Sequence, residues 1–447
     1  MRLGPCLVSL AVLCLGPAAG WAQVAAPAAP APPSGAVAPP PAGGEPGSYL
    51  GVGSCVGSGC HGSPRPQAKA RVLGNEYQTW LHQDAHHDAY NHLFDARSER
   101  IAANLKLGRA SQAKRCLACH TVTVPAGKAR GRLAAEDGVT CEGCHGPASG
   151  WKDGHTEPSW SHADSVAHGL TDLARPEVRA ALCLGCHLGD ATQSVDHELI
   201  AAGHPPLAFE VDNYAQAMPA HWKPNGRHGM AAWAVGQAAS FRAGLAQLAR
   251  RAKSDAWPEF AEMSCYACHH SLKAERWRRA DAFRGRERPG LPPWSPARWA
   301  VLRLVVAAVA PGERPALDAE VRELAQAVER MSRPGDVVAA AERAGAALDR
   351  VLPAIAAKHW DGPAARALLA ALAEDADGWV GADVHSAEQG FFAAQTLVAE
   401  LAAGDPRTAA GPLSTRLNQL YQSLTDPEAF DRAKTRALLA EVAQGAR

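Results

Sequence analysis

The 447-residue sequence predicts a mainly α protein, in which a loop-rich domain precedes an all-α helical bundle domain. Three observations lead to this fold class. Ten of the twelve cysteines form five pairs, each followed directly by a histidine, and all five pairs lie between residues 55 and 269. Large apolar side chains are sparse in that stretch, so it lacks the material of an ordinary core. After residue 296, apolar residues recur at helical spacing.

The chain opens with the pattern of an export signal. Arg2 precedes an apolar run at residues 7–15, and Gly-Trp-Ala at residues 20–22 is a small-x-small cleavage site. We therefore predict a signal peptide over residues 1–22 and a periplasmic protein, with an uncleaved N-terminal anchor as the alternative. The two cysteines outside the five pairs are removed with the signal. No later segment is long and apolar enough to span a membrane.

Residues 23–48 consist almost entirely of Ala, Pro and Gly, a composition typical of a disordered linker. The formal net charge of the chain is zero. Nothing therefore suggests nucleic acid or an anionic membrane as a partner.

The five cysteine pairs are predicted to attach haem c. In four of them the spacing is Cys-x-x-Cys-His, in which two thiols add to the porphyrin vinyl groups and the adjacent imidazole binds the iron from one side. The first pair has four intervening residues. The five motifs are Cys55/Cys60-His61, Cys116/Cys119-His120, Cys141/Cys144-His145, Cys183/Cys186-His187 and Cys265/Cys268-His269. About five haem groups are expected.

Two alternatives stay open for these cysteines. The widened first motif would need its extra residues to loop outward, which Gly57, Ser58 and Gly59 allow. A disulfide between Cys55 and Cys60 is the competing interpretation, reasonable for an exported protein. For the whole set the rival is zinc, since two Cys-x-x-Cys pairs can form a tetrathiolate site. Zinc sites of this kind do not require a histidine after every second cysteine.

Residues 49–295 are predicted to form a multihaem cytochrome domain of loops and short helices. This stretch contains twelve of the fourteen histidines outside the motifs. Five porphyrins would supply its missing apolar interior, so we expect it to be unfolded or aggregated without haem. Within it, residues 231–253 predict one helix that packs onto the last haem site.

Residues 296–447 are predicted to form an all-α domain of about six helices. Ala, Leu, Glu and Arg are abundant, and helices are expected to stop at residues 334–335 and 404–406. His359 and His385 are interpreted as surface or satisfied core residues rather than ligands. The apolar stripes are Leu317, Val321, Leu324, Val328 and Met331; Leu348, Val351, Leu352 and Ile355; and Leu413, Leu417, Leu420 and Leu424.

With these motifs in view, the first domain resembles the cytochrome c-554 family of multihaem cytochromes, the electron carriers of ammonia oxidation and their relatives. The resemblance spans about residues 49–222, and the fifth motif and the helical domain go beyond the smaller four-haem members. The matching blocks are residues 80–90 (Trp-x3-Asp-x-His-x2-Ala-Tyr), residues 138–148 around the third motif, Trp151 with His155, and residues 196–210 after the fourth motif.

A low-spin electron-transfer haem needs a second strong ligand, and histidine is the abundant candidate. Carried over block by block, the resemblance implies His86, His155, His197 and His204 as sixth ligands. Only the block match selects His86 over its helix neighbours His82 and His87, and His155 could instead be a solvated loop residue. For His221 and His228 the sequence offers no discriminator. His270 is interpreted as solvated, although it could serve a neighbouring haem.

The predicted function is that of a periplasmic multihaem c-type cytochrome, mostly bis-histidine ligated, which exchanges electrons with periplasmic or membrane-bound redox proteins. The alternative is a multihaem oxidoreductase in which one five-coordinate haem acts on a small nitrogen or sulfur species. No catalytic residue is assigned. A scaffold whose helical tail docks a partner is a third possibility.

Overall fold

A computed structural model of the chain describes residues 47–67, 69, 72–223, 229–269, 291–404 and 412–446. The predicted signal peptide and nearly all of the predicted linker lie outside these residues. His228 and His270 also lie outside them.

The described residues form α-helices, 3₁₀-helices, turns and isolated bridges, with no β-strand among them, so the predicted mainly α class is confirmed. Before residue 230 most helices are short and long loops separate them. In chain order these helices are α1 (Glu76–Gln83), α2 (Ala96–Asn104), α3 (Lys114–His120), α4 (Cys141–His145), α5 (His162–Ala167), α6 (Pro176–His187), α7 (His197–Ala202) and α8 (Val211–Ala217).

Polar N-caps explain how some of these short helices begin. Ser161 accepts a hydrogen bond from the amide of Asp164 and forms a capping box at the start of α5. Asp196 caps α7 and Glu210 caps α8, each through its carboxylate. A cap satisfies amide groups that the first turn of a helix leaves without partners, so even a six-residue helix can start at a defined residue.

The second part of the molecule is built from longer helices. The predicted helix over residues 231–253 is confirmed as α9 (Met230–Ala252). Nine α-helices follow in the described residues, rather than about six: α10 (Ala297–Ala300), α11 (Leu302–Val309), α12 (Arg314–Glu329), α13 (Pro334–Asp349), α14 (Leu352–Ala357), α15 (Gly362–Glu374), α16 (Val384–Gly404), α17 (Pro412–Leu424) and α18 (Arg432–Gly445). Part of the excess arises because Pro353 lies in the first turn of α14 and prevents α13 from continuing.

One continuous apolar core connects α9 with the helices after residue 296. Trp233 and Phe241 of α9 are buried in it together with Trp299, Leu324 and Leu397. Helix α9 precedes residue 296 but packs into the same core as the helices after it. The predicted boundary between two domains at residue 296 therefore stays a prediction. In the part of the chain that the structure describes, none of the helices combines the length and hydrophobicity needed to cross a membrane.

Candidate haem-binding site

Three of the five attachment motifs end short helices. In α3, α4 and α6 the second cysteine and the histidine come three and four residues after the first cysteine. On an α-helix these positions share one face. The local fold therefore brings two thiols and one imidazole to the same side, as attachment of a porphyrin requires.

In the first motif a turn, rather than an α-helix, brings the histidine back toward the first cysteine. The amide of Cys60 donates to the carbonyl of Gly57 (2.8 Å), and the amide of His61 donates to the carbonyl of Cys55 (3.2 Å). In the fifth motif the amide of His269 likewise donates to the carbonyl of Cys265 (2.7 Å). The extra residues thus loop out while the histidine returns to the first cysteine. The ten described cysteines are free thiols, so no disulfide joins the first pair in this structure.

Each of four motif histidines faces a second imidazole across a gap of one size. The distances between ring centres are 6.2 Å for His61 and His155, 6.4 Å for His145 and His221, 6.0 Å for His187 and His86, and 6.4 Å for His269 and His197. The remaining motif histidine, His120, lies near His204. Burial is the main cause that lowers the pKa of His204, and the nearby His120 lowers it further.

The distance between the facing ring centres matches the distance expected for two imidazoles bound to one metal ion. An imidazole nitrogen lies ~2 Å from a bound metal ion, and the ring centre lies roughly 1 Å beyond it. Two imidazoles on opposite sides of one iron would therefore have ring centres about 6 Å apart. The residues fit haem iron by this observation, and the haem would supply one-electron chemistry.

Three of the four predicted sixth ligands, His86, His155 and His197, lie opposite a motif histidine, and the fourth, His204, lies near His120. The role of all four as ligands stays a prediction. His86 faces His187, whereas His82 is exposed and His87 packs edge-on against Trp80 with ring centres 4.6 Å apart. From the sequence, only the family resemblance selected His86 over His82 and His87 as the predicted ligand.

His221 is the candidate that sequence reasoning left undecided. Its ring lies opposite His145, and it also contacts Trp222, with ring centres 4.8 Å apart. Neither a motif nor a helical spacing marks it, so only the folded chain distinguishes it from other histidines.

Several of the facing imidazoles are fixed through their Nδ1 atoms. Because a ring held in this way offers Nε2 to a metal ion, these contacts match the outer shell of a histidine-ligated metal. The Nδ1 partners are Glu76 for His61 (3.0 Å), Asp84 for His86 (2.8 Å), and the carbonyls of Ala89 for His120 (2.5 Å), Lys152 for His155, Pro205 for His204 (2.8 Å) and Pro219 for His221 (3.3 Å).

Burial keeps two motif imidazoles neutral. It lowers the pKa of His145 to about 4, with smaller contributions from the neighbouring His221 and His61. It also lowers the pKa of His187 to about 4, with a further contribution from His86. Neutral imidazole is the form that binds a metal ion, so both rings are ready for ligation across the physiological pH range.

Thiols of different motifs approach one another. The Cys55 thiol lies close enough to the Cys141 thiol to interact with it, which places the first motif beside the third. A second contact, between the thiols of Cys119 and Cys186, places the second motif beside the fourth.

The third and fourth motifs are also neighbours, since the thiols of Cys183 and Cys186 add to the burial that raises the pKa of Cys144 to about 12. The motifs thus form a row in the order first, third, fourth, second. Cys265 of the fifth motif and His187 of the fourth line one cavity, so the fifth motif adjoins the fourth.

A buried carboxylate holds the first and third motifs together. Glu142, between the two cysteines of the third motif, is 2% exposed. Its oxygens accept hydrogen bonds from the amides of Leu50 (2.9 Å), Gly51 (2.7 Å) and Ala148 (2.8 Å). The segment that leads to Cys55 is therefore anchored directly to the third motif.

The zinc alternative finds no matching geometry. A structural zinc site needs about four converging ligands. Within the described ranges, no group of three or more His, Cys, Asp and Glu side chains is arranged to hold a metal ion. The facing imidazoles form pairs only, as haem ligation requires.

His385 departs from its sequence-based interpretation in one respect. It is satisfied at Nδ1 by Glu388 (2.9 Å), as expected of a core residue. Its Nε2, however, lies 3.6 Å from Sγ of Cys265. Helix α16 therefore places the side chain of His385 beside the fifth motif. No pattern in the sequence indicated this contact.

Attachment motifs with imidazoles facing them at one spacing are the features of a c-type cytochrome, a class that transfers electrons through covalently bound haem. Residues 57–146 match the family model described as cytochrome c554 and c-prime. Over these residues the match supports the resemblance seen in the sequence and a c-type cytochrome of that family, while Cys55, the fourth and fifth motifs and the C-terminal helices lie beyond the matched segment. No curated protein and no solved structure matches the chain.

Proposed function

We propose that this protein is a periplasmic electron-transfer cytochrome with five haem c groups, each bound between two histidines. The proposed ligand pairs are His61 with His155, His120 with His204, His145 with His221, His187 with His86, and His269 with His197. The observation that carries the proposal is the ring spacing of 6.0–6.4 Å, which recurs in four separate pairs.

Two histidines on each iron favour electron transfer over substrate chemistry. A bis-histidine haem keeps its ligands in both oxidation states, whereas an oxidoreductase needs one iron with an open side. In the described part of the chain every motif histidine has a second imidazole near it, which argues against the alternative of a small nitrogen or sulfur substrate.

The row of motifs suggests a route for electrons. The thiol contacts would bring haems bound at the first and third motifs close together, and likewise haems bound at the second and fourth. Electrons would then enter and leave at the ends of the row, where redox partners dock. The fifth haem, beside the fourth, would form a branch.

The periplasmic location rests on chemistry and on the sequence. Thioether attachment in bacteria takes place outside the cytoplasm, and residues 1–22 have the pattern of a cleaved signal. Intact mass of the purified exported protein tests both points, because it counts the attached groups and gives the N-terminus. The proposal requires five haems, so a mass without them would end it.

Ligation is best tested at His221, the residue that the sequence left undecided. The His221→Ala variant should convert one of five haems from low-spin to high-spin, and the reduced protein should then bind carbon monoxide. His162→Ala is the matched control, because Nε2 of His162 already contacts Asp172 (3.0 Å). A high-spin, carbon-monoxide-binding haem in the unaltered protein would favour the oxidoreductase instead.

A further inference from the structure

A short polar turn leads into the fifth attachment motif and contacts the start of α7. The turn is a 3₁₀-helix over Phe260–Glu262, shortly before Cys265 in the chain. Helix α7 begins with His197, the proposed sixth ligand, whose ring lies opposite that of His269. The segment that carries the fifth motif therefore also touches the helix that carries the facing histidine.

Glu259, at the start of the turn, makes the first of these contacts. It is 7% exposed, and its Oε1 accepts hydrogen bonds from the amide of His197 (2.9 Å) and from the amide of Ala261 (2.9 Å). The bond to Ala261 caps the turn, whereas the bond to His197 reaches a residue that is distant in the chain. Hydrogen bonds to a charged acceptor are among the strong ones. The backbone of His197 is therefore fixed to the segment of the fifth motif.

A second contact reaches the same place through α9. Arg251, in the last turn of α9, pairs with Glu262 of the polar turn (2.6 Å). The guanidinium of Arg251 also donates to the carbonyl of Val195 (2.7 Å). Both charged side chains are largely buried, with 13% of Arg251 and 10% of Glu262 exposed. Two polar connections from one turn therefore converge on residues 195–197.

Phe260 contacts the imidazole of His197 itself. The two ring centres lie 5.7 Å apart in an edge-to-face arrangement, within the range that aromatic rings prefer. The same turn thus holds the ring of His197 through Phe260 and its amide through Glu259.

We propose that Glu259 is a positioning residue, which holds His197 on the iron of the fifth haem, opposite His269. The inference rests on the proposed function, since it requires haem at Cys265 and Cys268 and His197 as its sixth ligand. Glu259 acts through the amide of His197 and limits the freedom of the imidazole to leave the iron. Partners of this kind, one step outside the ligands, change metal affinity by about 10–100-fold.

The test measures carbon monoxide binding to the reduced full-length holoprotein. Carbon monoxide competes with His197 for the iron, so its affinity reports how firmly the imidazole is held. Glu259→Ala should raise the affinity of one haem for carbon monoxide by about 10-fold or more. An unchanged affinity would overturn the proposal.

Two control variants separate the hydrogen bond from other effects. In Glu259→Gln one acceptor oxygen remains, and because Oε1 alone accepts both amide bonds, most of the resistance to carbon monoxide should return. Asp431→Ala removes a carboxylate that caps α18 by accepting from the amide of Lys434 (3.1 Å), and it should leave carbon monoxide binding unchanged. An effect in Asp431→Ala as large as that in Glu259→Ala would overturn the proposal, since any lost cap would then suffice.

A double variant shows whether Glu259 acts through His197. His197→Ala should itself create one haem that binds carbon monoxide, and adding Glu259→Ala should raise the affinity no further. A further rise in the double variant would overturn the proposal, because Glu259 would then act on the haem by another route. If His197→Ala creates no such haem, the ligand pair in the proposed function is itself contradicted.

Intact mass counts the haems in each variant. If Glu259→Ala loses the fifth haem, Glu259→Asp decides instead, because its carboxylate keeps the charge but is one methylene shorter. Five haems with a raised affinity for carbon monoxide in Glu259→Asp would support the proposal. An unchanged affinity, or the loss of the fifth haem in this variant too, would overturn it.

Discussion

The two parts of this molecule obtain their interiors in different ways. From Met230 onward, one apolar cluster continues through the helices to Ala446. Before that point the described residues form only three small clusters, of five, four and three buried apolar side chains. The helical part contains its own core, whereas the part with four of the motifs would need the proposed porphyrins to fill the space between its loops. We therefore expect haem binding and folding to be coupled in the first part, and the helices after residue 296 to fold without haem.

Buried polar groups occur in both parts, and in the first part some of them act on the residues around the motifs. In the first part, carboxylates such as Asp84 and Glu142 fix histidines and loop amides. In the second part, leucine and valine side chains such as Leu324 and Val321 fill the interior. Polar contacts are directional, so they can position a ligand to within a few tenths of an ångström. Apolar contacts stabilise without that precision.

The largest expected effect comes from preventing haem attachment. If all ten motif cysteines are replaced by serine, residues 72–222 should lose their native structure, because their interior loses its main apolar component. Helices α12, α13 and α16 should keep theirs. Hydrogen exchange read by mass spectrometry measures both parts at once. Native-like protection in residues 72–222 of the haem-free protein would contradict the comparison.

A polar and an apolar substitution should then separate the two parts. Glu142→Ala leaves three loop amides without an acceptor, and we expect unfolding free energy to fall by about 4 kcal/mol. Leu324→Ala removes part of the helical core and should cost about 3 kcal/mol. Only Glu142→Ala should alter the haem spectrum, since it releases the first motif from the third.

Urea unfolding followed by haem absorption and by circular dichroism gives both quantities. Glu142→Gln is the control, because an amide keeps one acceptor oxygen and should cost less than alanine. Equal changes of the haem spectrum in Glu142→Ala and Leu324→Ala would mean that a loss in the helical core disturbs the haems as much as a loss beside the motifs. That result would contradict the comparison of the two parts.

Glu210 adds a pH dependence at the boundary between the two parts. Burial, opposed by hydrogen bonds from Asn213, raises the pKa of Glu210 to about 7 from its ordinary 4.5. The folded chain therefore holds this proton more tightly than the unfolded chain. The resulting stability is present below pH 4.5 and is lost as pH rises toward 7, a change of about 3 kcal/mol. Glu210→Gln should remove that slope from urea unfolding measured between pH 5 and pH 7.5, and an unchanged slope would contradict the assignment.

Sequence reasoning succeeded where the determinant was local. The spacing within each motif and the helical period of α9 or α12 depend on residues a few positions apart, so the sequence alone predicts them. The imidazole pairs depend on long-range packing. His86 and His187 are far apart in the chain, and only a family resemblance suggested the first of them. No local sequence pattern marks His221 or His385, because each contacts a motif residue that is distant in the chain and is brought near only by folding.

The smallest predicted effect compares two helix caps of the same chemistry. Asp361 caps α15 by accepting from the amide of Ala364 (2.9 Å), and Asp196 caps α7 by accepting from the amide of Leu199 (2.8 Å). Replacing Asp361 by alanine should lower the unfolding free energy by about 1 kcal/mol. Asp196→Ala should cost slightly more, because Asp196 also pairs with Arg115. The consequences should differ, because α7 begins with His197, which faces His269. Redox titration should therefore show one shifted haem potential in Asp196→Ala and none in Asp361→Ala. A shift in both would mean that the helical part transmits small losses of stability to the haems, and that the two parts are more tightly coupled than their interiors suggest.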